Sequence, residues 1–552
     1  MKQHFYLMIA QFNPSLGDLE SNFRKIMEFH SRAVTKKVDL LAFPEMSLTG
    51  YQVQDLILKP AFILEVNEII RRLASACSSG VPTLIGAPVC ENGKIYNAYV
   101  LINNGSHLIV SRKHHLPNTN VFDEKRVFES GPISGPFEIS GMKIGSPICE
   151  DLWFEDVAET MVESGADILL SPNGSPYSRK KIDSRTQVAV KRSLETGVPI
   201  IYLNMIGGQD DLVYDGASFV LNPGGKLAVS LPQFDECEEV IRFAFVDNGW
   251  IAEPGIKSVY GNTLAQDYRA MVESVKEYTR KSGFSKVVLG LSGGIDSALV
   301  AVIATDAMGP QNVLCVRLPS QFSSEGSLSD AALLIENLNC LEKTISIEPA
   351  NQVVNESLAC AFDGYSQDLT EENIQSRLRG VILMALSNKF SMMLLTTGNK
   401  SEVAVGYSTI YGDMAGGYNP IKDLYKTRVV ETCLWRNDFY ENWMQGPKGE
   451  IIPQSIIDKP PSAELRLHQR DDESLPPYDV LDGILVGLID NDLAVKDLVA
   501  QGYEKKMIKQ IEDLIYRSEY KRFQAAPGPN LTDRALWSGR RYPLVQRWRD
   551  KS

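Results

Sequence analysis

The segment 286–308, KVVLGLSGGIDSALVAVIATDAM, constrains the fold of this chain more than any other. Residues 287–291 make a short apolar, β-branched run, long enough for a buried strand and too short for a helix. The run breaks into Ser292-Gly293-Gly294-Ile295-Asp296-Ser297, and an alanine- and valine-rich helix is predicted to follow until Gly309-Pro310 stops it. Strand, glycine-rich turn and helix in that order put backbone N–H groups and the positive helix end where a phosphate can sit. No lysine follows the glycines, so this is not a Walker motif, and the dinucleotide fingerprint GxGxxG is absent. Two hydroxyls (Ser292, Ser297) and one carboxylate (Asp296) suit a pyrophosphate chelated with Mg²⁺. A tight strand-to-helix turn would look the same in isolation, so the rest of the chain must decide.

The SGGxDS word resembles the signature of the N-type ATP pyrophosphatases. That resemblance implies cleavage of ATP between its α and β phosphates, adenylation of a substrate oxygen, and displacement of AMP by a nitrogen or sulfur nucleophile.

At 552 residues the chain exceeds one ordinary core, and two or three domains are expected. With 44% hydrophobic and 23% charged residues and no biased tract, it has the composition of a soluble globular protein. No apolar run is long enough to span a bilayer, the amino terminus lacks a signal-peptide layout, and the cytoplasm is the expected location. Eight cysteines are scattered with no CxxC pair, which argues against structural zinc and against a disulfide scaffold. A net charge of −13 speaks against a large nucleic-acid footprint, which needs a basic face, but leaves room for a nucleotide in one pocket.

In the first half, 5–10 and 38–43 read as buried strands separated by a helix over 19–35. The second strand runs into FPEMSLTGY, which holds Glu45. Strands at 83–87, 98–103 and 107–112 follow, the last delivering Lys113 into HHLPN; Glu124 lies just beyond, in FDEKRVF. A further strand over 143–148 leads to Cys149. One at a time, these are a loop carboxylate, a solvated lysine and a buried inert thiol. As a set, one Glu, one Lys and one Cys, each at the end of a predicted strand, resemble the triad of the nitrilase superfamily. The words FPEMSLTGY, RKHHLPN and PICEDLWF match that family over roughly the first 245 residues.

That resemblance implies a four-layer α-β-β-α sandwich with the triad in a pocket at the strand ends. Cys149 would be the nucleophile and Glu45 the base that takes its proton and later returns it to departing ammonia. Lys113 would hold the oxyanion together with a backbone N–H, and Glu124 would orient Lys113. Ser175 and Lys181, in SPNGSPYSRKK, align with the glutamine-holding stretch. Thr119 stands at a glutamine contact where relatives usually carry an aromatic. The last strand of this half is predicted at 244–247, and a glycine- and proline-bearing linker at 248–263.

The second half opens with an amphipathic helix over 264–282. Strands at 287–291, 313–318 and 393–396 alternate with helical stretches, as in a doubly wound parallel sheet. Asn373 opens a long helix and shares a face with Arg377. The words ENIQSRLRG, TTGNKSE and YGDMAGGYNPIKDLYKTR resemble the NAD synthetase family rather than other pyrophosphatases, and PPSAELR, SLPPYDVLDGIL and KRFQAAPGPN agree. With the nitrilase-like half, the resemblance is to the glutamine-dependent NAD synthetase family across nearly the whole chain.

By this resemblance Gly290, Leu291, Ser292, Gly293, Gly294, Ile295, Asp296, Ser297 and Thr397 would contact ATP, and Asn373, Glu402 and Lys521 the deamido dinucleotide. Asp296 and Glu402 would bind Mg²⁺, and Lys426 would meet transition-state charge on the phosphates. The stretch 445–477, with no aromatic and few aliphatic residues, is expected to be a lid that little burial holds down.

The expectation is therefore an α/β protein in two parts. A nitrilase-like glutaminase domain spans 1–247, and a Rossmann-like ATP pyrophosphatase domain, the NAD synthetase part, spans 264–552. The expected reaction hydrolyses glutamine, adenylates nicotinic acid adenine dinucleotide with ATP and amidates it to NAD. ATP is a substrate and Mg²⁺ the cofactor. Expected partners are small molecules, with no nucleic acid and no membrane, and the assembly is a homo-oligomer. A tRNA sulfurtransferase would need a sulfur-carrying cysteine pair and a basic surface, and GMP synthetase a Cys-His-Glu glutaminase on another fold. A nucleotide-binding regulator with a decayed site would not need Glu45, Lys113, Cys149, Asp296 and Glu402 intact.

Overall fold

The structure, a computed structural model, describes residues 3–462, 464–466 and 475–552. It divides into one unit of Met1–Gly207 with Val213–Tyr260, and a second of Gly261–Ser552 with Gly208–Leu212. Among the described residues no helix is long and apolar enough to cross a membrane.

The strands up to 252 are, in chain order, β1 (His4–Gln11), β2 (Leu40–Ala42), β3 (Thr83–Glu91), β4 (Lys94–Asn103), β5 (Ser106–Arg112), β6 (Phe137–Ile139), β7 (Met142–Gly145), β8 (Ile168–Asn173), β9 (Ile200–Asn204), β10 (Ile206–Gln209), β11 (Leu212–Asp215), β12 (Phe219–Asn222), β13 (Lys226–Ser230), β14 (Cys237–Val246) and β15 (Gly249–Ala252). Two sheets stack, with orders β15-β14-β1-β2-β3-β4-β5 and β13-β12-β9-β8-β7-β6. Period-two alternation puts Phe5, Leu7 and Ile9 of the first sheet into one core with Ile144, Ile168, Leu170, Ile201 and Leu203 of the second. Helices α1 (Leu19–Lys36) and α2 (Pro60–Ala76) pack on the first sheet, α3 (Glu155–Glu163) and α4 (Lys181–Thr196) on the second, giving the α-β-β-α layers. Helix α1 starts where Asp18 accepts the Ser21 N–H and ends at Lys37 in the left-handed region. Lys113 directly follows β5, Glu45 follows β2, and Cys149 follows β7, so the sequence-derived triad is drawn from both sheets.

The stretch read as a linker is partly strand. β15 pairs antiparallel with β14, from Val246↔Gly249 to Phe243↔Ala252, and buries Trp250 and Ala252. The glycines and prolines around it masked that alternation.

In the second unit, β16 (Val287–Gly290), β17 (Val313–Arg317), β18 (Leu341–Thr344) and β19 (Met393–Leu395) form an all-parallel sheet of order β18-β17-β16-β19. Its helices are α5 (Thr263–Lys281), α6 (Ile295–Met308), α7 (Glu325–Leu338), α8 (Glu348–Leu358), α9 (Leu369–Phe390), α10 (Lys400–Val405) and α11 (Lys426–Asp438). Helix α6 packs on β16 and β17, α9 on β16 and β19. Twelve residues of α6 are buried, so it has no solvent face. Short helices α12 (Gln454–Asp458), α13 (Tyr478–Leu485), α14 (Val495–Ala500), α15 (Lys505–Arg517) and α16 (Glu519–Phe523) follow, and Leu481, Ile484, Leu498, Ile508 and Ile511 gather there in a separate apolar cluster.

One buried charge ties three of these helices. Asp306 of α6 accepts from Tyr268 Oη of α5 at 2.5 Å, Arg436 Nε of α11 at 2.7 Å and the Gly446 N–H at 3.2 Å. Asp306 and Arg436 are both buried. Removing the carboxylate strands a desolvated guanidinium, so Asp306→Ala is expected to destabilise the second unit by about 3–5 kcal/mol. A urea titration checks this, and a midpoint unchanged from the parent would contradict it.

Candidate active sites

In the first unit three charged side chains meet out of water. Lys113 Nζ donates to Glu45 Oε1 at 2.8 Å and to Glu124 Oε1 at 2.9 Å, and all three side chains are buried. The remaining contacts are supplied by other elements. Asn97 Nδ2 of β4 donates to Glu45 Oε1 at 2.7 Å, the Gly174 N–H after β8 donates to Glu45 Oε2 at 2.7 Å, and Tyr51 Oη donates to Glu124 Oε1 at 2.6 Å. Burial opposes charge on Lys113, but Glu124 and Glu45 outweigh it and hold the ammonium well above the usual lysine range. Burial likewise pushes the Glu124 carboxyl upward, against the pull of Lys113.

Cys149 opens a tight turn, Cys149–Trp153, with its own φ at +49°, a left-handed backbone uncommon outside glycine. The thiol is buried, and burial followed by the charge of Glu45 pushes it up while Lys113 pulls it down. A buried thiol in this setting needs a neighbouring base before it can act as a nucleophile. Glu150, beside it, is pushed up by burial and feels Lys113 and Lys181.

In the second unit the SGGIDS loop closes on itself between β16 and the head of α6. The Leu291 N–H donates to Val316 O at 2.9 Å, Ser297 Oγ donates to Gly294 O at 2.9 Å, and the Ser292 and Ser297 hydroxyls are 3.1 Å apart. No side chain caps α6, which leaves its first turn to a ligand. The loop borders a cavity of about 320 Å³, lined also by Thr397, Glu402, Lys426, Arg379 and Asp413. Lys426 Nζ pairs with Asp296 and lies 3.3 Å from Glu402 Oε1, while Asn399 Nδ2 donates to Asp296 Oδ1 at 2.9 Å. Burial opposes the Lys426 charge, and Asp296 and Glu402 overcome it.

Residues 8–244 match the Carbon-nitrogen hydrolase family and residues 267–525 the NAD synthase family. A protein of Rhodobacter capsulatus named glutamine-dependent NAD(+) synthetase is 54% identical over 552 residues, all of both chains. The chain belongs to the glutamine-dependent NAD(+) synthetase family. A Xylella fastidiosa (strain 9a5c) relative of the same name is 42% identical over the full length of both chains. A solved glutamine-dependent NAD+ synthetase from Acinetobacter baumannii, in complex with ADP, covers all of both chains at 37% identity with a TM-score of 0.78.

The other residues singled out in the sequence fall as follows. Ser175 is buried; its Oγ accepts from Arg185 Nε at 3.1 Å and its N–H reaches Asn204 Oδ1 at 3.0 Å. Lys181 begins α4 and holds its ammonium 4.9 Å over the Trp153 ring. Thr119 is exposed, in a turn closed by the Phe122 N–H to its carbonyl at 3.0 Å. Of the phosphate-loop residues, all from Gly290 to Ser297 except Gly293 line the cavity. Asn373 and Lys521 do not line it. Asn373 Oδ1 accepts from Thr409 Oγ1 at 2.8 Å, and Lys521 donates to Gly406 O and Ser408 O at 2.8 and 2.7 Å, so both meet the turn whose Tyr407 and Ser408 form cavity wall.

The expected lid needs correction over 445–458. Ile451, Ile452 and Ile456 are buried there, and Asn437 Oδ1 accepts the N–H groups of both Ile451 and Ile452 at 3.0 and 2.9 Å. Three isoleucines and one amide anchor a stretch whose composition promised little burial. Farther along, Glu464 lines the cavity and accepts from Ser324 Oγ at 2.9 Å and Ser327 Oγ at 2.6 Å. Residues 463 and 467–474 of the stretch lie outside the described residues.

Sequence reasoning gave no role to Tyr51, Asn97, Gly174 or Asn399. Tyr51 and Asn399 sat inside quoted words, and an Asn amid the apolar run of β4 was a usable signal for Asn97.

Gly293 has a second job. Its φ is +81°, and a Cβ there would lie 2.3 Å from Ser327 O of α7. Gly293→Ala is expected to lower the unfolding free energy read from a urea titration by about 1–2 kcal/mol for the left-handed backbone alone, and by more for the clash. Gly326→Ala, where a Cβ meets nothing within 4 Å, is the control and should be tolerated. Equal effects at the two positions would refute the close approach of loop and helix.

Proposed function

We propose that the chain makes NAD from nicotinic acid adenine dinucleotide, ATP and glutamine, with glutamine hydrolysis in the 1–247 domain, extended by β15, and amidation in the 264–552 domain. The observation that carries this reading is one chain holding both a buried thiol beside a carboxylate–ammonium cluster and a phosphate loop beside a second such cluster. The full-length relatives share the name of that activity.

In the first domain Glu45 takes the Cys149 proton, and the thiolate attacks the glutamine amide carbon. The oxyanion forms toward the Lys113 ammonium, which Glu124 and Glu45 keep charged and fixed. Glu45 returns the proton to ammonia as the C–N bond breaks, and water then cleaves the thioester to glutamate. Ser175 and Lys181 bind the amino-acid end of glutamine, and Thr119 replaces the aromatic contact of relatives.

In the second domain the nicotinate carboxylate attacks the α-phosphate of ATP, which Gly290–Ser297 and Thr397 hold, and pyrophosphate leaves. Ammonia attacks the adenylate carbonyl and AMP leaves, giving NAD. Asn373, Glu402 and Lys521 orient the deamido dinucleotide, Asn373 and Lys521 through the 406–409 turn that both hold. Lys426 meets phosphate charge. Mg²⁺ fits Asp296 and Glu402, because hard carboxylate oxygens from two elements already converge on a single cation, the Lys426 ammonium. Bound there, it would offset phosphate charge in support of pyrophosphate departure. The reading includes a cytoplasmic homo-oligomer that acts on small molecules and uses neither nucleic acid nor membrane.

Cys149→Ala is expected to abolish NAD formation from glutamine and to leave formation from ammonium salt near the parent rate, measured as NAD produced. Loss of both activities in a folded variant would refute the division of labour. Asp296→Asn is expected to lower NAD formation from either nitrogen source by at least about a hundredfold and to raise the Mg²⁺ requirement. An unchanged rate at limiting Mg²⁺ would sink the metal assignment.

A further inference from the structure

We infer that Asp151 is a positioning residue for glutamine hydrolysis: its single carboxylate pins the backbone that follows Lys113 to the turn that carries Cys149. This rests on the reading of Cys149 and Lys113 given above.

Asp151 is the third residue of the Cys149–Trp153 turn and is 1% exposed. Its Oδ2 accepts the Ile148 N–H at 3.0 Å, an ordinary cap within the turn. Its Oδ1 reaches another segment, accepting the N–H of His114 at 3.0 Å and of His115 at 2.7 Å. Capping the turn needs only one oxygen; the second bridges to residues 36 and 37 positions earlier. Among the described residues no cation is in ion-pair contact with this carboxylate, and its hydrogen bonds come from backbone N–H groups. Burial leaves it raised to about 6, against the pull of those three N–H groups and of the nearby Lys113 charge.

The bridge matters because, among the described residues, no backbone-to-backbone hydrogen bond joins these two segments. Lys113 follows β5, at the edge of the first sheet, and Cys149 follows β7 of the second. Strands in different sheets share no hydrogen bonds, so the relation of ammonium to thiol is left to side chains. Glu45 supplies one such strut, through the Gly174 N–H after β8. Asp151 supplies another, next to both reacting partners. It also steadies a left-handed Cys149, whose turn is closed by the Asp151 N–H to Ile148 O at 3.0 Å. An oxyanion donor displaced by a fraction of an ångström loses much of its effect.

The test compares Asp151→Asn, Asp151→Glu and Cys149→Ala in the full-length protein, each assayed with glutamine and with ammonium salt. Asn turns one acceptor into a donor facing an N–H. In Asp151→Asn we expect kcat with glutamine to fall at least about tenfold, with KM for glutamine within about twofold of the parent. The ammonium-dependent rate should be unchanged, and alkylation of Cys149 by iodoacetamide should slow in step with kcat. Asp151→Glu, which keeps both acceptors, should recover part of the loss. A kcat within twofold of the parent would overturn the inference. So would unaltered alkylation, or a fall in the ammonium-dependent rate that matches the glutamine-dependent one. If Cys149→Ala still hydrolyses glutamine, the underlying reading fails; if that variant alone is inactive, only the role of Asp151 fails.

Discussion

A lysine ammonium with no exposure to water is the condition on which the first unit is built. Stripping an ammonium of water costs several kcal/mol, and Coulomb attraction offsets this only when the geometry is good and the remaining lone pairs are satisfied. Lys113 therefore requires Glu45 and Glu124, and the carboxylates in turn require Asn97, Tyr51 and the Gly174 N–H. Each requirement draws in another segment: the loop after β2 that carries Glu45 and Tyr51, β4 with Asn97, the end of β5, the turn at Glu124 and the end of β8. Burial lifts the Glu124 carboxyl above the ordinary range, and the second carboxylate, Glu45, adds to that lift against the pull of Lys113. The strand ends of the sandwich are arranged around that charge balance.

The second unit uses the same chemistry with a different boundary. Lys426 also sits between two carboxylates, but Asp296 and Glu402 keep 16% and 17% of their side-chain surface accessible, against 0% and 3% for Glu45 and Glu124. One cluster is sealed into the protein; the other opens on a cavity and can exchange its partner ions for those of a ligand. The first suits a site that must hold one geometry through a covalent cycle. The second suits a site whose charges change hands as phosphates arrive and leave.

Much of this was legible in sequence because strand periodicity and strand ends are local. Glu45, Lys113 and Cys149 each followed an apolar run, and the SGGIDS loop announced its own backbone. What stayed hidden depends on partners far away along the chain. Asp151 binds backbone N–H groups, which carry no side-chain signature, and the Gly174 N–H contributes nothing a residue letter would show. The hold of Asn373 and Lys521 on the 406–409 turn is equally silent in the sequence, since their partners lie dozens of residues away. β15 was lost because glycine and proline were read as linker punctuation, and 445–458 because composition says little about where three isoleucines go.

Helix α6 has water on neither side, and this sets how the nucleotide cavity can vary. A helix enclosed by α5, α11 and the sheet cannot tilt or slide to follow a ligand, and the loop at its head is wedged against Ser327 through Gly293. The floor under the phosphates is therefore a fixed datum. Adjustment to a larger or differently shaped acceptor has to come from the opposite walls, where Tyr407, Ser408, Ile456 and Glu464 stand on turns and short helices. Drift in acceptor preference among relatives of this chain would be written on those walls, while the floor keeps its sequence.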